Sequence, residues 1–300
     1  MKLYLAAVIY NAMQIDGPVF NRLPERQKQI RKEQKNLLES YHYFNSQKMV
    51  DAVRRHKERI FLDSGAFSAF TQGASIDLKD YCNFIKRNED IVDVASVLDA
   101  IGDPLETYRN QKRMEQLGVK ALPCFHSGED FRYCEYYVAN YEYITVGGMV
   151  GASTKDLINW LDVVWEKCLV DGAGRPKVKV HGFGITAEAI MERYPWWSVD
   201  SSSWLYRSSM GCIVHPNFGT CFISKDSERR RVEGQHYDNL SDSEKQHIRE
   251  QIEELGFSID ELRDSYMARR VFCMLGYNEL GIRMKWDNKI FHNEKLGLFD

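Results

Sequence analysis

The sequence contains no apolar run approaching the roughly 20 residues that a membrane span requires, which argues against an integral helical membrane protein. Its first ten residues carry one lysine and too short an apolar stretch for a signal peptide, so they read as a strand. The seven cysteines are odd in number and have no close pairs, which argues against a disulfide scaffold and suits a reducing cytoplasm. No excess of positive charge is present: the net charge of −3 neither announces nor excludes a nucleic-acid binder, because a local basic patch is what matters. There is no internal repeat and no low-complexity tract. The first strand is not followed by a glycine-rich phosphate turn, since Tyr10-Asn11-Ala12-Met13 stands there, which counts against a doubly wound open sheet. Nor is it followed by the His-x-His of metal-dependent barrel hydrolases.

What is present is a 300-residue chain with 44% hydrophobic residues, enough for one large domain with an appendage. Residues 22–57 are polar and read as one or two helices. Their basic residues Arg26, Lys28, Arg31, Lys32 and Lys35, mixed with glutamates, suit a solvated face better than a phosphate-binding one. From residue 59 short apolar runs alternate with helix-length segments. Together with residues 3–9, strands at 59–65, 91–99, 119–126, 143–146, 177–184, 194–200 and 211–215 predict an α/β fold, a (β/α)8 TIM barrel. Beyond residue 225 the alternation stops, and residues 242–255 and 259–274 predict two helices. The expected organisation is a barrel over 1–224 and a C-terminal helical extension over 225–300.

The run Tyr194-Pro195-Trp196-Trp197-Ser198-Val199-Asp200 stops at an acid followed by Ser201-Ser202-Ser203-Trp204. A lone Asp there reads first as a cap for the next helix. Yet Asp63 and Asp99 also end strands, His126 ends another, and Gly147-Gly148 and Gly182 follow or end two more. Strand ends of such a barrel converge on one mouth, and bare glycine backbone lets a flat ligand lie close. Phe67, Trp197 and Trp204 are candidates to hold a planar group.

These residues carry a resemblance. Asp63-Ser64-Gly65-Ala66-Phe67-Ser68 is similar to the Asp-Ser-Gly-Gly-Phe-Gln motif of the queuine/archaeosine tRNA-guanine transglycosylases. Val97-Leu98-Asp99 with Asp103-Pro104, Val146-Gly147-Gly148-Met149-Val150-Gly151, His181-Gly182-Phe183-Gly184-Ile185-Thr186 and Val199-Asp200 resemble four further segments, in the same order. The resemblance covers residues 59–204. It implies that Asp200 is the nucleophile at C1′ of a nucleoside and Asp63 the general acid/base. Asp99 would bind the Watson–Crick edge of the base, and Gly147 and Gly148 would offer backbone contacts. His126 stands where the family has a glutamine touching the base. Ser64, Gly65, Phe67, His181 and Gly182 complete the implied substrate pocket. Replacing a glycosidic bond with retention needs a carboxylate nucleophile and a second acid, which suits these residue types.

The departures are as informative. The family's Cys-x-Cys-x-x-Cys…His zinc site is missing, and the substitute set Cys212, His215, Cys221 and His236 is irregularly spaced, so no metal and no cofactor are expected. A short, zinc-free chain with Asp-Ser-Ser-Ser-Trp looks more like the phage and genomic-island paralogues that insert 7-deazaguanines such as preQ0 into DNA. The expectation is a DNA-guanine transglycosylase using a free 7-deazaguanine base in a bacterial or phage-infected cytoplasm. Arg207, Arg229, Arg230 and Arg231 would meet phosphates, DNA is favoured over tRNA, no membrane is involved, and a homodimer is left open. The tRNA enzyme is the first alternative. A non-catalytic accessory subunit is the second, and the retention of both Asp63 and Asp200 counts against it.

Overall fold

The computed structural model describes residues 1–9, 17–33, 36–232, 234–284 and 289–292; Tyr10-Asn11-Ala12-Met13 and Lys35 lie outside them. In chain order the elements are β1 (Lys2–Ala6), α1 (Pro18–Asn21), α2 (Glu25–Glu33), β2 (Leu37–Ser40), α3 (Gln47–Arg55), β3 (Ile60–Asp63), α4 (Ala66–Thr71) and α5 (Leu78–Arg87). There follow β4 (Val92–Ala95), α6 (Pro104–Gln116), β5 (Cys124–His126), α7 (Phe131–Asn140), β6 (Tyr143–Gly147), α8 (Thr154–Val164), β7 (Lys179–Gly182), α9 (Glu188–Arg193) and β8 (Ser198–Ser201). The chain continues through α10 (Ser203–Ser209), β9 (Cys212–His215), β10 (Gly219–Phe222), α11 (Asp242–Glu254), α12 (Ile259–Asp264) and α13 (Tyr266–Arg283). Among the described residues no helix is long and apolar enough to cross a membrane.

Eight strands form one sheet in the order β4-β3-β2-β1-β8-β7-β6-β5. Its edges meet where Ser96 bridges Leu122 in parallel, with Val97 N–H donating to Leu122 O at 2.9 Å and Leu122 N–H to Ala95 O at 2.8 Å. The sheet is closed, and the expected (β/α)8 barrel is the fold. Strand residues such as Ile60, Phe61 and Leu62 are wholly buried, because a parallel barrel covers both faces of every strand. Asp77, Asp103, Asp130 and Ser153 cap α5, α6, α7 and α8 by accepting backbone N–H bonds, which fixes where each crossover helix begins.

The count of eight strands holds, but two members differ from the expectation. Residues 37–40 form a barrel strand, β2, inside the stretch read as helical. Residues 212–215 are not a barrel strand: β9 pairs antiparallel with β10, Ile213 opposite Cys221. The sequence of β2, Leu-Leu-Glu-Ser, has little strand propensity of its own, and its pairing with β3 decides its state. Residue 265 also breaks the helix expected over 259–274, and α13 runs on to Arg283.

The chain divides into two compact units, residues 1–4, 37–201 and 284–300 in one, and 5–36 and 202–283 in the other. The expected boundary at residue 224 therefore falls inside the second unit. In that unit α13 carries the core, with Val271, Phe272, Cys273 and Met274 fully buried. A capping box at Ser241 and Glu244 starts α11. On α2 the solvated-face reading holds for Arg26, which pairs with Glu254, and for Lys28, which pairs with Glu25, but Arg31 is buried.

At Gly276 of α13 an added Cβ would stand 2.3 Å from Val214 O of β9, so only glycine lets helix and strand approach this closely. Gly276→Ala is expected to destabilise the protein by about 1–3 kcal/mol through overpacking. The check is thermal unfolding, where an unchanged midpoint would mean the helix shifts freely.

Candidate active site

Strand alternation places Phe61 and Asp63 of β3 on one face, and Ser198 and Asp200 of β8 likewise. Asp63 Oδ2 accepts from Gly65 N–H at 2.9 Å, and Oδ1 accepts from Ser96 Oγ at 3.2 Å. Gly65 has φ of 76°, and a Cβ on it would lie 2.3 Å from Ser40 Oγ, so the turn that supplies this N–H admits no side chain. Burial, reinforced by the neighbouring Asp99 and Asp200 carboxylates, pushes the Asp63 carboxyl up to about 7 against the pull of Gly65 and Ser96. A carboxylic acid that titrates near neutrality is suited to general acid/base chemistry.

Asp200 is not a helix cap. Its Oδ1 accepts from Gly184 N–H at 2.8 Å, and the residue is 6% exposed at the end of β8. His181 Nε2 lies 3.4 Å from the same oxygen.

Asp99 and His126 form a second cluster. His126 Nε2 is 3.5 Å from Asp99 Oδ2 and 3.3 Å from Cys124 Sγ, and Nδ1 is 2.9 Å from Glu129 Oε1. Burial opposes a charged ring here, but the Cys124 sulfur and the Asp99 carboxylate outweigh it and raise the imidazole above its ordinary range. Among the described residues Asp99 Oδ1 is buried without a hydrogen-bond partner, an acceptor open to a ligand donor. Gly147 and Gly148 border this cluster. A Cβ on Gly147 would lie 3.1 Å from His126 Cδ2, and one on Gly148, where φ is 74°, 2.9 Å from Ser127 N. The donor atoms of Asp99, Cys124 and His126 lie within 4.8 Å of one another, so these three side chains are also able to hold a metal ion. Glu129 would orient the ring of such a ligand from behind.

Cys124, Glu129 and Ser96 were not singled out in the sequence, and Gly184 only as part of the segment from His181 to Thr186. Glu129 and Cys124 had a signal, lying three residues after and two before His126; Ser96 had none beyond being near a strand end. Of the other expected pocket residues, Phe67 is 50% exposed, whereas Ser64 is fully buried and its Oγ accepts from Ala66 N–H at 3.3 Å to start α4. Gly182 packs on Trp196, whose ring a Cβ would meet at 2.9 Å. Trp197 is placed differently from expectation. It precedes β8, its carbonyl accepts from Lys2 N–H, and the Lys2 and Lys179 ammonium groups lie over its ring, all at strand beginnings, away from the acids. Trp204 is fully buried and donates to Ala6 O, so it offers no open face.

The expected phosphate-contacting arginines all lie in the second unit. Arg207 donates to Thr220 Oγ1, Arg230 pairs with Asp238 at 3.0 Å, and Arg229 and Arg231 are exposed on the same turn. There too lie Cys212, His215, Cys221 and His236. The histidine nitrogens are occupied: His215 meets Glu279 and Asn217 N–H, and His236 meets Ser224 O and Asp238 N–H. Among the described residues these four do not gather as a metal cluster.

No protein-family model and no curated protein matches the chain. Solved structures that resemble it include a 4-hydroxy-2-oxoglutarate/2-dehydro-3-deoxyphosphogluconate aldolase, at TM-score 0.38 and 12% identity over 68% of this chain and 84% of that one. Another is a mutant tryptophan synthase alpha-subunit from Pyrococcus furiosus, at TM-score 0.41 and 11% identity over 69% of this chain and 88% of that one.

The raised Asp63 pKa has a consequence for stability. The folded chain keeps this proton to about pH 7, against about 3.8 for an ordinary Asp, so the group's contribution is intact below about pH 4 and is lost as pH rises through 7. Asp63→Asn cannot ionise and is expected to melt above wild type at pH 8.5, with the gap closing below pH 5. A gap independent of pH would show that Asp63 titrates as an exposed acid.

Proposed function

We propose that this protein is a DNA-guanine transglycosylase, an enzyme that exchanges guanine in DNA for a free 7-deazaguanine base through a glycosyl ester on Asp200. The observation that carries this reading is the division of two carboxylates at one mouth into different tasks. Asp63 is pushed up to about 7, the range of a proton donor, while Asp200 has one oxygen anchored by Gly184 N–H.

In the first displacement the Oδ2–C1′ bond forms as C1′–N9 breaks, and the bonding pair leaves with guanine, which takes a proton from Asp63. In the second, the entering base gives its N9 proton to the Asp63 carboxylate and attacks C1′, releasing Asp200. Two inversions give net retention, and no redox partner is needed. The unpartnered Asp99 Oδ1 suits the N1–H and amino donors of a guanine-like edge, and a charged His126 suits its carbonyl. The target nucleotide must leave its stack to reach a barrel mouth, and Phe67 offers an exposed ring to receive it. DNA is favoured over tRNA on the missing Cys-x-Cys-x-x-Cys…His motif and on Ser201-Ser202-Ser203-Trp204. Arg207, Arg229, Arg230 and Arg231 are the proposed phosphate contacts, in a bacterial or phage-infected cytoplasm.

The test is exchange of labelled guanine into duplex DNA, single-stranded DNA and tRNA in parallel. Label entering DNA alone and lost in Asp200→Ala supports the reading; label entering tRNA alone moves the polymer to tRNA. If nothing is labelled while a 7-deazaguanine or nucleic acid still binds, an accessory subunit replaces the enzyme. The convergence of Asp99, Cys124 and His126 favours one competing reading, a metal in place of the base edge. Exchange is expected to survive chelation, with no stoichiometric metal in the purified protein. Loss on chelation, restored by zinc, would favour the metal.

A further inference from the structure

Beneath the acids, inside the barrel, runs a polar file that the proposed exchange does not use directly. Tyr143 Oη lies 2.6 Å from Ser198 Oγ, Ser198 Oγ lies 2.7 Å from His181 Nδ1, and His181 Nε2 lies 3.4 Å from Asp200 Oδ1. His181 and Ser198 are fully buried, and the β7–β8 register sets their Cα positions opposite each other. Ser198 stands two residues before Asp200, hence on the same strand face. Packed around the imidazole are the rings of Tyr4, Phe61 and Phe183, with centroids 5.8, 4.5 and 4.7 Å away.

We infer that His181 is a positioning residue, held by Ser198 and Tyr143 as the neutral Nε2–H tautomer so that its N–H fixes Asp200 Oδ1 and leaves Oδ2 to attack. The inference rests on the transglycosylase reading for its kinetic consequence but not for the tautomer itself.

Proton bookkeeping decides between the two directions in which the file is able to run. If Nδ1 carried the hydrogen, the Nε2 lone pair would face Asp200 Oδ1, an oxygen already oriented as an acceptor by Gly184 N–H. Two lone pairs would then meet in a dry interior. With the hydrogen on Nε2, the Ser198 hydroxyl donates to Nδ1, the Tyr143 hydroxyl donates to Ser198, and each oxygen and nitrogen plays one consistent part. Burial supports this by lowering the His181 pKa despite Asp200, and by raising that of Tyr143, so the ring stays neutral and the phenol keeps its proton. Among the described residues the groups around His181 are Asp200 and Ser198 of β8, Tyr4 of β1 and, through Ser198, Tyr143 of β6; Thr145 of β6 lies opposite in register, and Phe61 of β3 and Phe183 are apolar. Nε2 has no hydrogen-bond partner in good geometry among the described residues, as befits a contact that tightens when the carboxylate is drawn toward C1′. In the second displacement the same N–H and that of Gly184 stabilise the carboxylate as it leaves.

The experiment has two arms on the full-length protein. In the first, nitrogen NMR of histidine-labelled wild type reads the His181 tautomer between pH 6 and 8, with His181→Gln assigning the signal. A neutral ring protonated at Nε2 throughout is expected. A ring protonated at Nδ1, or an imidazolium, overturns the inference whatever the kinetics. In the second, base exchange is compared for wild type, His181→Phe, His181→Gln and Ser198→Ala, each first shown to unfold cooperatively. His181→Phe is expected to lose roughly 10–100-fold in kcat with KM for the free base within about twofold. His181→Gln, which retains an N–H near Nε2, recovers most of that loss, and Ser198→Ala falls between. Equal activity in His181→Phe and wild type overturns the positioning role. If wild type exchanges no base at all, the transglycosylase reading fails, and the tautomer still judges the inference.

Discussion

The constraint on which the site depends is the crowding of carboxylates where a closed parallel sheet allows few ways to relieve it. Strand ends in a barrel point their inward side chains at a common axis, so Asp63 of β3 and Asp200 of β8 share a mouth with Asp99 beyond β4. Burial is the largest cause that keeps the proton on Asp63, and the Asp99 and Asp200 carboxylates add to it. Asp63 has one short N–H bond and a longer hydroxyl contact, at 2.9 and 3.2 Å. Asp99 faces His126, and Asp200 has Gly184 N–H at 2.8 Å with His181 behind it. Three chemically identical side chains thus stand in three different surroundings, and the proposed division of tasks between Asp63 and Asp200 rests on that difference.

Those donors are backbone groups and small hydroxyls set by the fold. Ser96 illustrates this: its Oγ accepts from Ser64 N–H and donates to Asp63, while its carbonyl accepts from the buried Tyr81 hydroxyl. Ser96 is also the residue through which the barrel closes on Leu122. One side chain therefore ties closure of the sheet to the charge state of the proposed acid. Loosening the β4–β5 seam would alter the site without touching an acid.

Legibility followed the same division. The alternation of strand and helix, and the acids at strand ends, were readable because burial on both faces of a parallel strand makes a short apolar run that ends abruptly. β2 was not readable, since Leu37-Leu38-Glu39-Ser40 lies in a polar, helix-favouring stretch and is a strand only by virtue of its neighbours. Cys212-Ile213-Val214-His215 had the propensity of a strand and is one, but propensity does not say with which partner it pairs. At the site, Asp63, Asp99, Asp200 and His126 were nameable from their positions. The parts played by Gly184 and Ser96 were not, because a hydrogen bond from a loop N–H or from a serine at the end of the neighbouring strand leaves no local pattern.

His181 and His126 show why residue type alone assigns no role. Both are strand histidines with a carboxylate near Nε2, at 3.4 and 3.5 Å. At His126 burial opposes a charged ring, but the Cys124 sulfur and the Asp99 carboxylate beside Nε2 outweigh it and raise its pKa, while Glu129 meets Nδ1. At His181 the other nitrogen meets a neutral hydroxyl among aromatic rings, and burial holds the ring neutral. The first is suited to present charge to a ligand. The second is suited to hold an oxygen in place without taking its charge away. The neighbours of each ring separate the two: sheet register sets Ser198 opposite His181, whereas Cys124 and Glu129 come from the strand of His126 and the turn that follows it.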